Sequence, residues 1–459
     1  MSITPLNHIF HLYSRLGFGI TYSEAKILSQ KSINEITNTL FITSLSAQPL
    51  TCIKPDDIPL PKDAMSGGMN KKDLQKLITT KSLELNISWI KKLLSTETIL
   101  LEKQTLFWHN HFACRIRSPY LMQELNNIHR KFAFGSFRDM LVEVSKSPAM
   151  ILYLNNQQNK KEHPNENFAR EVMELFTLGR GNYTEQDVKE AARAFTGWSC
   201  NKTDGKFEFK DKQHDNGQKQ LFNRTGNFDG EDVINMLISN KQTAYFITKK
   251  LYKYYVNETV NEERVKLLAD YYYQNQYNTG ALIKKIVSSS WFYDSENMGC
   301  NIKSPIDYLI GLSRQFSVNY TNYKVFIQLQ RALGMILFSP PNVAGWPGGK
   351  AFIDNSTLLL RMKLPSVILN NGQLEVPERI DDPDDVGKDD ISINKKMDSE
   401  VNWTKISDLH KNLTFDNLLD VYLLKHPSKK IIDSIKSDTT LNTKEMILKI
   451  VSLPEYNLS

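Results

Sequence analysis

The sequence predicts a mainly α-helical protein, with one large multi-helix domain, a small β-hairpin or irregular insertion and a small helical C-terminal region. Apolar residues recur at helical spacing along most of the 459 residues, of which 41% are hydrophobic. Strand-like alternation marks one short stretch, around Phe207 and Phe209. This length and composition suit a globular protein and exclude a disordered, collagen-like or disulfide-dense chain.

The first long helices are predicted over residues 82–116 and 122–145. Leu83, Ile87 and Ile90 recur at helical spacing, and Leu106 continues the pattern further on. We expect one or two helices in the first range. Gly135 predicts a break in the second range, because glycine weakens a helix interior.

The central segment contains the clearest local signals. A helix over 165–178 should end at Gly179, since glycine favours the position after a helix. Thr184 and Asp187 form a capping-box pattern that opens the next helix, which should end at Gly197. Further helices are expected over about 231–239, 241–256, 260–276, 280–290, 304–318, 323–337 and 355–370.

Two irregular segments interrupt the helices. Residues 205–223 are predicted to form a β-hairpin or irregular flap, with Asn216-Gly217 as a turn signal. The segment 339–350, SPPNVAGWPGGK, is too rich in proline and glycine to be helical.

The C-terminal part differs in composition from the rest. We divide the chain into a main helical domain over 1–372, an acidic loop or linker over 373–403, and a helical region over 404–459. The linker is dense in aspartates, but their spacing does not match an EF-hand calcium loop.

Charge and motif content exclude several classes of protein. The formal net charge of +6 is spread along the chain, and Lys249, Lys250 and Lys253 lie on what we interpret as a packing helix, so nucleic-acid binding is not predicted. Glycine-rich nucleotide motifs, a serine-hydrolase elbow and a zinc-protease motif do not occur.

Targeting signals are not evident either. No apolar run is long enough to span a membrane, and the N-terminus lacks the pattern of a signal peptide. As written, the chain is expected to be cytoplasmic. The four cysteines lie far apart, which favours four separate thiols over a metal knuckle.

A polar stripe on the 165–178 helix supplies the candidate catalytic residues. Asn167, Arg170, Glu171 and Glu174 share one face, and Arg193 follows on the next helix. Two carboxylates beside a guanidinium can provide a general acid, a general base and an electrostatic clamp.

The alternative interpretation of this stripe is structural. Glu166 and Glu174 are each four residues from Arg170 along the helix. Such pairs commonly do no more than support an exposed helix.

Candidate substrate-binding residues surround the stripe. The amides of Asn155, Asn165 and Asn167 could hydrogen-bond a polar substrate. The rings of Trp198, His214 and Trp346 could form walls of a cleft, although plain core packing is the alternative for tryptophan.

His109 and His111 form an HxH pair in the segment LFWHNHFA and are the candidate metal ligands. On a regular helix their rings would diverge, so joint ligation requires the helix to end or distort near Asn110. The alternative is that each imidazole is hydrogen-bonded within an aromatic cluster. A divalent metal is the one cofactor considered, and none is otherwise indicated.

Several segments in order resemble the bacterial family catalogued as domain of unknown function 1800. They are LYSRLGFGIT (12–21), LFWHNHFA (106–113), PNENFAREVMELFTLGRGNYTEQDVKEAARAFTGW (164–198), HDNGQK (214–219), FDGEDVINML (228–237), IKSPIDYLIG (302–311) and LGMILFSPPNVAGWPGG (333–349). The resemblance implies a helical fold. Many members carry export signals, and many are encoded beside a protein that resembles sulfatases and alkaline phosphatases. The resemblance implies no reaction and no catalytic residue.

Two functions remain open from the sequence. The first is an enzyme that acts on a polar, envelope-derived substrate such as a glycan by carboxylate acid/base chemistry. The second is a non-catalytic helical scaffold or maturation partner of the phosphatase- or sulfatase-like protein. The two differ in whether the HNH, NENFARE and GWPGG segments converge around an open cavity.

Overall fold

The computed structural model describes residues 4–46, 48–59, 68–201, 205–375 and 394–459. The predicted fold class is confirmed, because helices dominate and the strands form small two-stranded ladders. The helices of the first part are α1 Leu6–Leu16, α2 Tyr22–Leu28, α3 Ile33–Ser44, α4 Lys71–Ser95, α5 Ile99–His111, α6 Pro119–Lys131, α7 Phe137–Lys146, α8 Pro148–Tyr153, α9 Asn167–Glu171 and α10 Glu185–Ala194.

The second part of the chain continues the helical pattern. Its helices are α11 Gly230–Ser239, α12 Lys241–Tyr255, α13 Glu262–Gln274, α14 Thr279–Val287, α15 Pro305–Gln315, α16 Val325–Leu333, α17 Asn355–Leu369, α18 Trp403–His410, α19 Phe415–Tyr422, α20 Lys429–Lys436 and α21 Thr443–Val451. No helix in the described ranges is long and apolar enough to cross a bilayer.

Helix α5 is the central element of the core. Nearly all of its side chains are buried, charged ones included, as expected of a helix enclosed on every side. Glu102 is fully buried and accepts bonds from Arg130 on α6 at 2.8 and 2.9 Å and from Trp89 on α4 at 2.8 Å. This ion pair ties three helices together at their buried faces.

Local signals placed several helix ends correctly. The chain breaks between α6 and α7 around Gly135, and Thr184 and Asp187 form the predicted capping box at the start of α10. The helix predicted over 165–178 begins as α9 and then changes hydrogen-bond register. Val172–Thr177 forms a π-helix, in which Leu178 N–H donates to Met173 O at 2.8 Å.

The β insertion consists of two ladders. Strand β1 (Trp198–Cys200) pairs with β2 (Phe207–Phe209), and β3 (Lys219–Leu221) pairs with β4 (Arg224–Gly226). The expected turn at Asn216-Gly217 does not join strands, because Asp215 accepts the Gly217 N–H in a local side-chain turn. The two-residue turn lies instead at Phe222-Asn223, where both φ angles are positive.

The C-terminal region packs against the main helices. Its strands are β7 (Asn394–Lys396), paired with β6 (Gln373–Glu375), and β8 (Ser399–Glu400), paired with β5 (Asn319–Tyr320). Its buried side chains join the same hydrophobic core as those of α1 and α15. Most of the aspartates of the acidic segment lie outside the described residues. The domain boundaries stay a prediction.

Candidate functional site

Asn110 joins the HNH segment to the GWPGG loop. Its Oδ1 accepts the Trp346 backbone N–H at 2.8 Å, and its Nδ2 donates to Trp346 O at 3.4 Å. Gly345 has a φ of 84°, and a Cβ there would overlap the Asn110 side chain. Glycine is therefore required at this contact for conformation and for space.

His111 joins the same helix end to the π-helix. Its Nε2 lies 3.2 Å from Phe176 O, so Nε2 carries the proton that is donated to this carbonyl. Its Nδ1 then accepts a bond from Lys250 Nζ on α12, at 3.2 Å. Lys250 Nζ also donates to Leu175 O at 3.1 Å. The HNH segment, the GWPGG loop and the π-helix (Val172–Thr177) thus meet at the C-terminal turn of α5, but none of these contacts involves the NENFARE segment (165–171).

A cavity of about 570 Å³ lies beside this junction. Its walls come from α1, α5, α12, the start of α15 and the GWPGG loop. Trp346, which is 5% exposed, lines it together with Asn110 and His111. The volume is in the range of small-molecule sites.

Positive charge predominates among the ionisable side chains of the cavity wall. Arg15, Lys103, Lys250 and Lys253 line it, against the carboxylates Glu258 and Asp307. Lys103 Nζ pairs with Asp307 Oδ1 at 2.6 Å, although burial lowers the pKa of Lys103. Excess positive charge in a concave site favours an anionic ligand.

Arg15 is a buried cation that has no ion pair with any described carboxylate. It is 2% exposed, and its Nη2 donates to Asn297 O at 3.0 Å and to Cys300 Sγ at 3.1 Å. Its Nε is buried and has no partner among the described residues. Burial lowers the pKa of Arg15, which nevertheless stays protonated as guanidinium groups do.

Glu258 packs against Gly349, the last glycine of the GWPGG loop. Gly349 has a φ of 58°, and a Cβ there would overlap the Glu258 carboxylate. The loop therefore approaches the cavity wall at two glycines, Gly345 and Gly349. Each of them makes room for one polar side chain of that wall.

Two further basic side chains, Lys303 and Arg361, are buried in the surroundings of Asp307. Lys303 Nζ donates to Tyr456 O at 2.7 Å, and burial lowers its pKa to about 7. Arg361 is fully buried and donates to Lys303 O at 2.9 Å, while its Nε and Nη2 have no described partner. The buried surroundings of Asp307 thus hold more positive than negative charge.

The predicted polar stripe lies away from this cavity, and its members do not line it. Arg170 is ion-paired with Glu166 at 3.0 Å and with Glu185 at 2.7 Å. Glu174 accepts the Tyr183 hydroxyl at 2.5 Å and lies 3.8 Å from the Arg180 guanidinium.

Glu171 differs from its neighbours on the stripe. It is half-buried, and no described residue donates a hydrogen bond to its carboxylate. Burial raises the pKa of Glu171, the charge of Glu174 adds to this increase, and Arg170 opposes it. A carboxylic acid in this setting holds its proton to higher pH than an exposed one.

Arg193 anchors the β insertion to α10. Its guanidinium bonds Asp215 at 2.7 Å and Glu190 at 2.9 Å, and it donates to Gln218 O at 3.1 Å. His214 lies beside it and bonds Thr196 O through Nδ1 at 2.8 Å.

The other predicted binding residues have local partners. Trp198 is 3% exposed and packs edge-on against Phe195 and Phe207. Asn165 accepts the Asn167 N–H, and the Asn167 side chain donates to Leu154 O. Asn155 adopts a left-handed conformation, with a φ of 57°. Of the predicted site residues, His111 and Trp346 line the cavity.

His109 and His111 have separate surroundings. His109 Nε2 accepts the Phe338 N–H at 3.1 Å, and burial lowers the pKa of His109 to about 3. The helix runs through Asn110 without a break, so the two rings diverge. Within the described ranges, no three His, Cys, Asp or Glu side chains are grouped closely enough to hold a metal ion.

A family model described as a protein of unknown function (DUF1800) matches residues 11–458. The chain belongs to the DUF1800 family. Comparison with curated proteins and with solved structures gave no significant match. Four of the segments that carry the DUF1800 resemblance supply lining residues, namely those with Arg15, Asn110, Asp307 and Trp346.

The sequence did not single out Arg15, Lys103, Lys250 or Asp307 as site residues. The sequence feature that could have identified them is a charged residue on the apolar side of a predicted helix. Lys103, for example, lies within the otherwise buried run of α5. Such a charge needs a partner, and a partner from a distant segment is not visible in the sequence.

Proposed function

We propose that this DUF1800 protein binds a small organic anion in the cavity beneath the GWPGG loop. The single observation that carries this proposal is the state of Arg15. Its guanidinium is buried at the cavity wall, its Nε has no described partner, and no described carboxylate pairs with it. A buried charge without a counter-ion costs several kcal/mol. A bound anion would remove that cost.

The chemistry of the wall defines the class of ligand. Arg15 Nε can donate a charge-assisted hydrogen bond to a carboxylate, phosphate or sulfate oxygen, while Nη2 stays bonded to Asn297 O and Cys300 Sγ. Lys103 and Lys253 add two ammonium groups to the same wall. Phe107 and Trp346 supply apolar area for the rest of the molecule. A phosphorylated or carboxylated small molecule therefore fits better than a neutral one.

Calorimetry with inorganic phosphate, sulfate and citrate tests the proposal. We expect saturable binding of at least one anion, and a shift of Tm that grows with its concentration. Arg15→Met should weaken binding about tenfold or more, while Arg138→Met, at an exposed arginine of α7, should leave it unchanged.

Lys253→Met serves as a second variant because Lys253 is exposed and its loss should not affect folding. It should weaken binding several-fold. If none of the three anions binds the wild type, or if both cavity variants bind as the wild type does, the proposal is wrong.

A second candidate function is acid/base catalysis at Glu171 on an envelope-derived, glycan-like substrate. It is supported by the raised pKa of Glu171 and by its lack of a described hydrogen-bond donor. Glu171→Gln should leave the unfolding curve unchanged and abolish binding or turnover of peptidoglycan fragments. Glu185→Gln, which removes an exposed partner of Arg170, is the control. Unfolding of Glu171→Gln would instead indicate a structural role.

The third candidate is a scaffold or maturation partner of a phosphatase- or sulfatase-like protein. It is supported by the ion pairs of Arg170 and Arg193, which make the charged stripe resemble a packing network. Co-expression with a phosphatase- or sulfatase-like protein from the same organism tests it. A stable complex, or partner activity that depends on this chain, is expected. Two proteins that purify separately, with the partner fully active alone, would contradict it.

A further inference from the structure

Lys250 has an arrangement that the anion site alone does not explain. Its Nζ lines the cavity, lies 3.2 Å from His111 Nδ1 and 3.1 Å from Leu175 O, and has no ion pair with a described carboxylate. The centroid of the Phe246 ring lies 4.7 Å from Nζ. An amine held in this way is positioned by acceptors rather than by an opposite charge.

The two acceptors match the neutral form of the amine. A neutral primary amine has two N–H bonds and one lone pair, whereas an ammonium ion has three N–H bonds. His111 Nδ1 and Leu175 O accept two bonds. In the neutral form both hydrogens are therefore bound, and the lone pair remains for a reaction partner.

Burial increases the population of that form. It lowers the pKa of Lys250 to about 8, so its neutral fraction at pH 7.5 is about two-hundredfold larger than that of an exposed lysine. Desolvation beside an apolar ring is a known way to activate a lysine as a nucleophile.

We propose that Lys250 is a nucleophile that forms an imine with a carbonyl compound bound in the cavity. The inference rests on the proposed function, since Arg15 and Lys103 hold the anionic group of the same molecule. The substrate class is thus a small aldehyde or ketone that carries a carboxylate or a phosphate.

The step balances without a further reactant. The Lys250 lone pair forms the C–N bond, and one of the two amine protons passes through His111 Nδ1 to the carbonyl oxygen, which becomes a hydroxyl. His111 Nδ1 then accepts the second amine proton and gives it to that hydroxyl, which leaves as water when the C=N bond forms. Because Nε2–H stays bonded to Phe176 O, the ring keeps one tautomer before and after the transfer.

Pyridoxal 5′-phosphate is a suitable probe because it combines an aldehyde with a phosphate. We expect an imine absorbance band with the wild-type protein. Reduction of the imine by cyanoborohydride should give a stable adduct, which peptide mass spectrometry should locate on Lys250. Labelling of Lys250 should be at least about tenfold faster than that of any other lysine at pH 7.5.

Lys249→Met is the matched control for Lys250→Met. Lys249 is the adjacent residue of α12 and pairs with Glu262 at 2.7 Å outside the cavity. The Lys249 variant should label as the wild type does, and the Lys250 variant should lose the fast adduct. Mapping of the wild-type adduct needs no variant, so the test remains decisive if Lys250→Met fails to fold.

The two proposals fail in different ways. If phosphate binds by calorimetry but the adducts are spread over surface lysines, the nucleophile proposal is wrong and the anion site remains. If neither phosphate nor the probe binds, both are wrong. If Lys250 serves only to cap the π-helix carbonyls, Lys250→Met lowers Tm and wild-type labelling shows no preference for Lys250.

Discussion

The Asn110 side chain bonds both the N–H and the carbonyl group of Trp346, although the two residues are 236 positions apart in the chain. This amide-to-backbone pairing fixes the GWPGG loop over the end of α5. It also places Trp346 and His111 on the same cavity. The shape of the candidate site therefore depends on one asparagine and on the glycine that makes room for it.

Gly345→Ala should destabilise the protein by at least about 2 kcal/mol, because a side chain at a φ of 84° is strained and would overlap Asn110. Gly348→Ala is the matched control, since its φ is −91° and nothing lies within 4 Å of the added Cβ. Urea denaturation measures both variants. Equal stability of the two would show that the loop does not approach α5 as described.

Glu102→Gln should lower the free energy of unfolding by about 3 kcal/mol or more. It leaves the buried Arg130 guanidinium without its counter-ion. Asp139→Asn removes one partner of the exposed pair with Arg138 and should cost less than about 1 kcal/mol. A small effect of Glu102→Gln in the same denaturation experiment would contradict the burial of this pair.

Much of the fold follows from local sequence signals. The break at Gly135 and the capping box of Thr184 and Asp187 depend on a few adjacent residues, and both were predicted. The π-helix was not predicted, since its terminal carbonyls are bound by His111 and Lys250 from other segments. The turn at Asn216-Gly217 was misassigned because Asp215 offers a competing side-chain acceptor.

The candidate site was harder to predict than the fold. The stripe of Arg170, Glu171 and Glu174 was visible because its members share one helix face. Arg15 and Lys103 come from different helices, and their importance lies in burial without sufficient opposite charge. Residue spacing in the sequence shows which side chains share a helix face. It does not show which charged side chains are buried without a partner.

Lys303 should make the free energy of unfolding of the protein change with pH in the alkaline range. Its pKa is lowered from 10.5 to about 7 in the folded state, so between these values the unfolded chain binds the extra proton. The contribution of Lys303 to stability therefore rises with pH across this window and is constant below it.

Denaturation of wild type and Lys303→Met at pH 6, 7, 8 and 9 isolates this contribution. The stability of the wild type relative to the variant should increase from pH 7 to pH 9. A difference that is constant over this range, or that decreases, would mean that the amine stays charged in the folded protein.

A crystal structure grown with selenate tests the anion site most directly, because the anomalous signal of selenium locates the ion. We predict a selenate in the cavity within hydrogen-bond distance of Arg15 Nε, held also by Lys103 or Lys253. A cavity without selenate, or an Arg15 guanidinium that pairs with a protein carboxylate, would contradict the account.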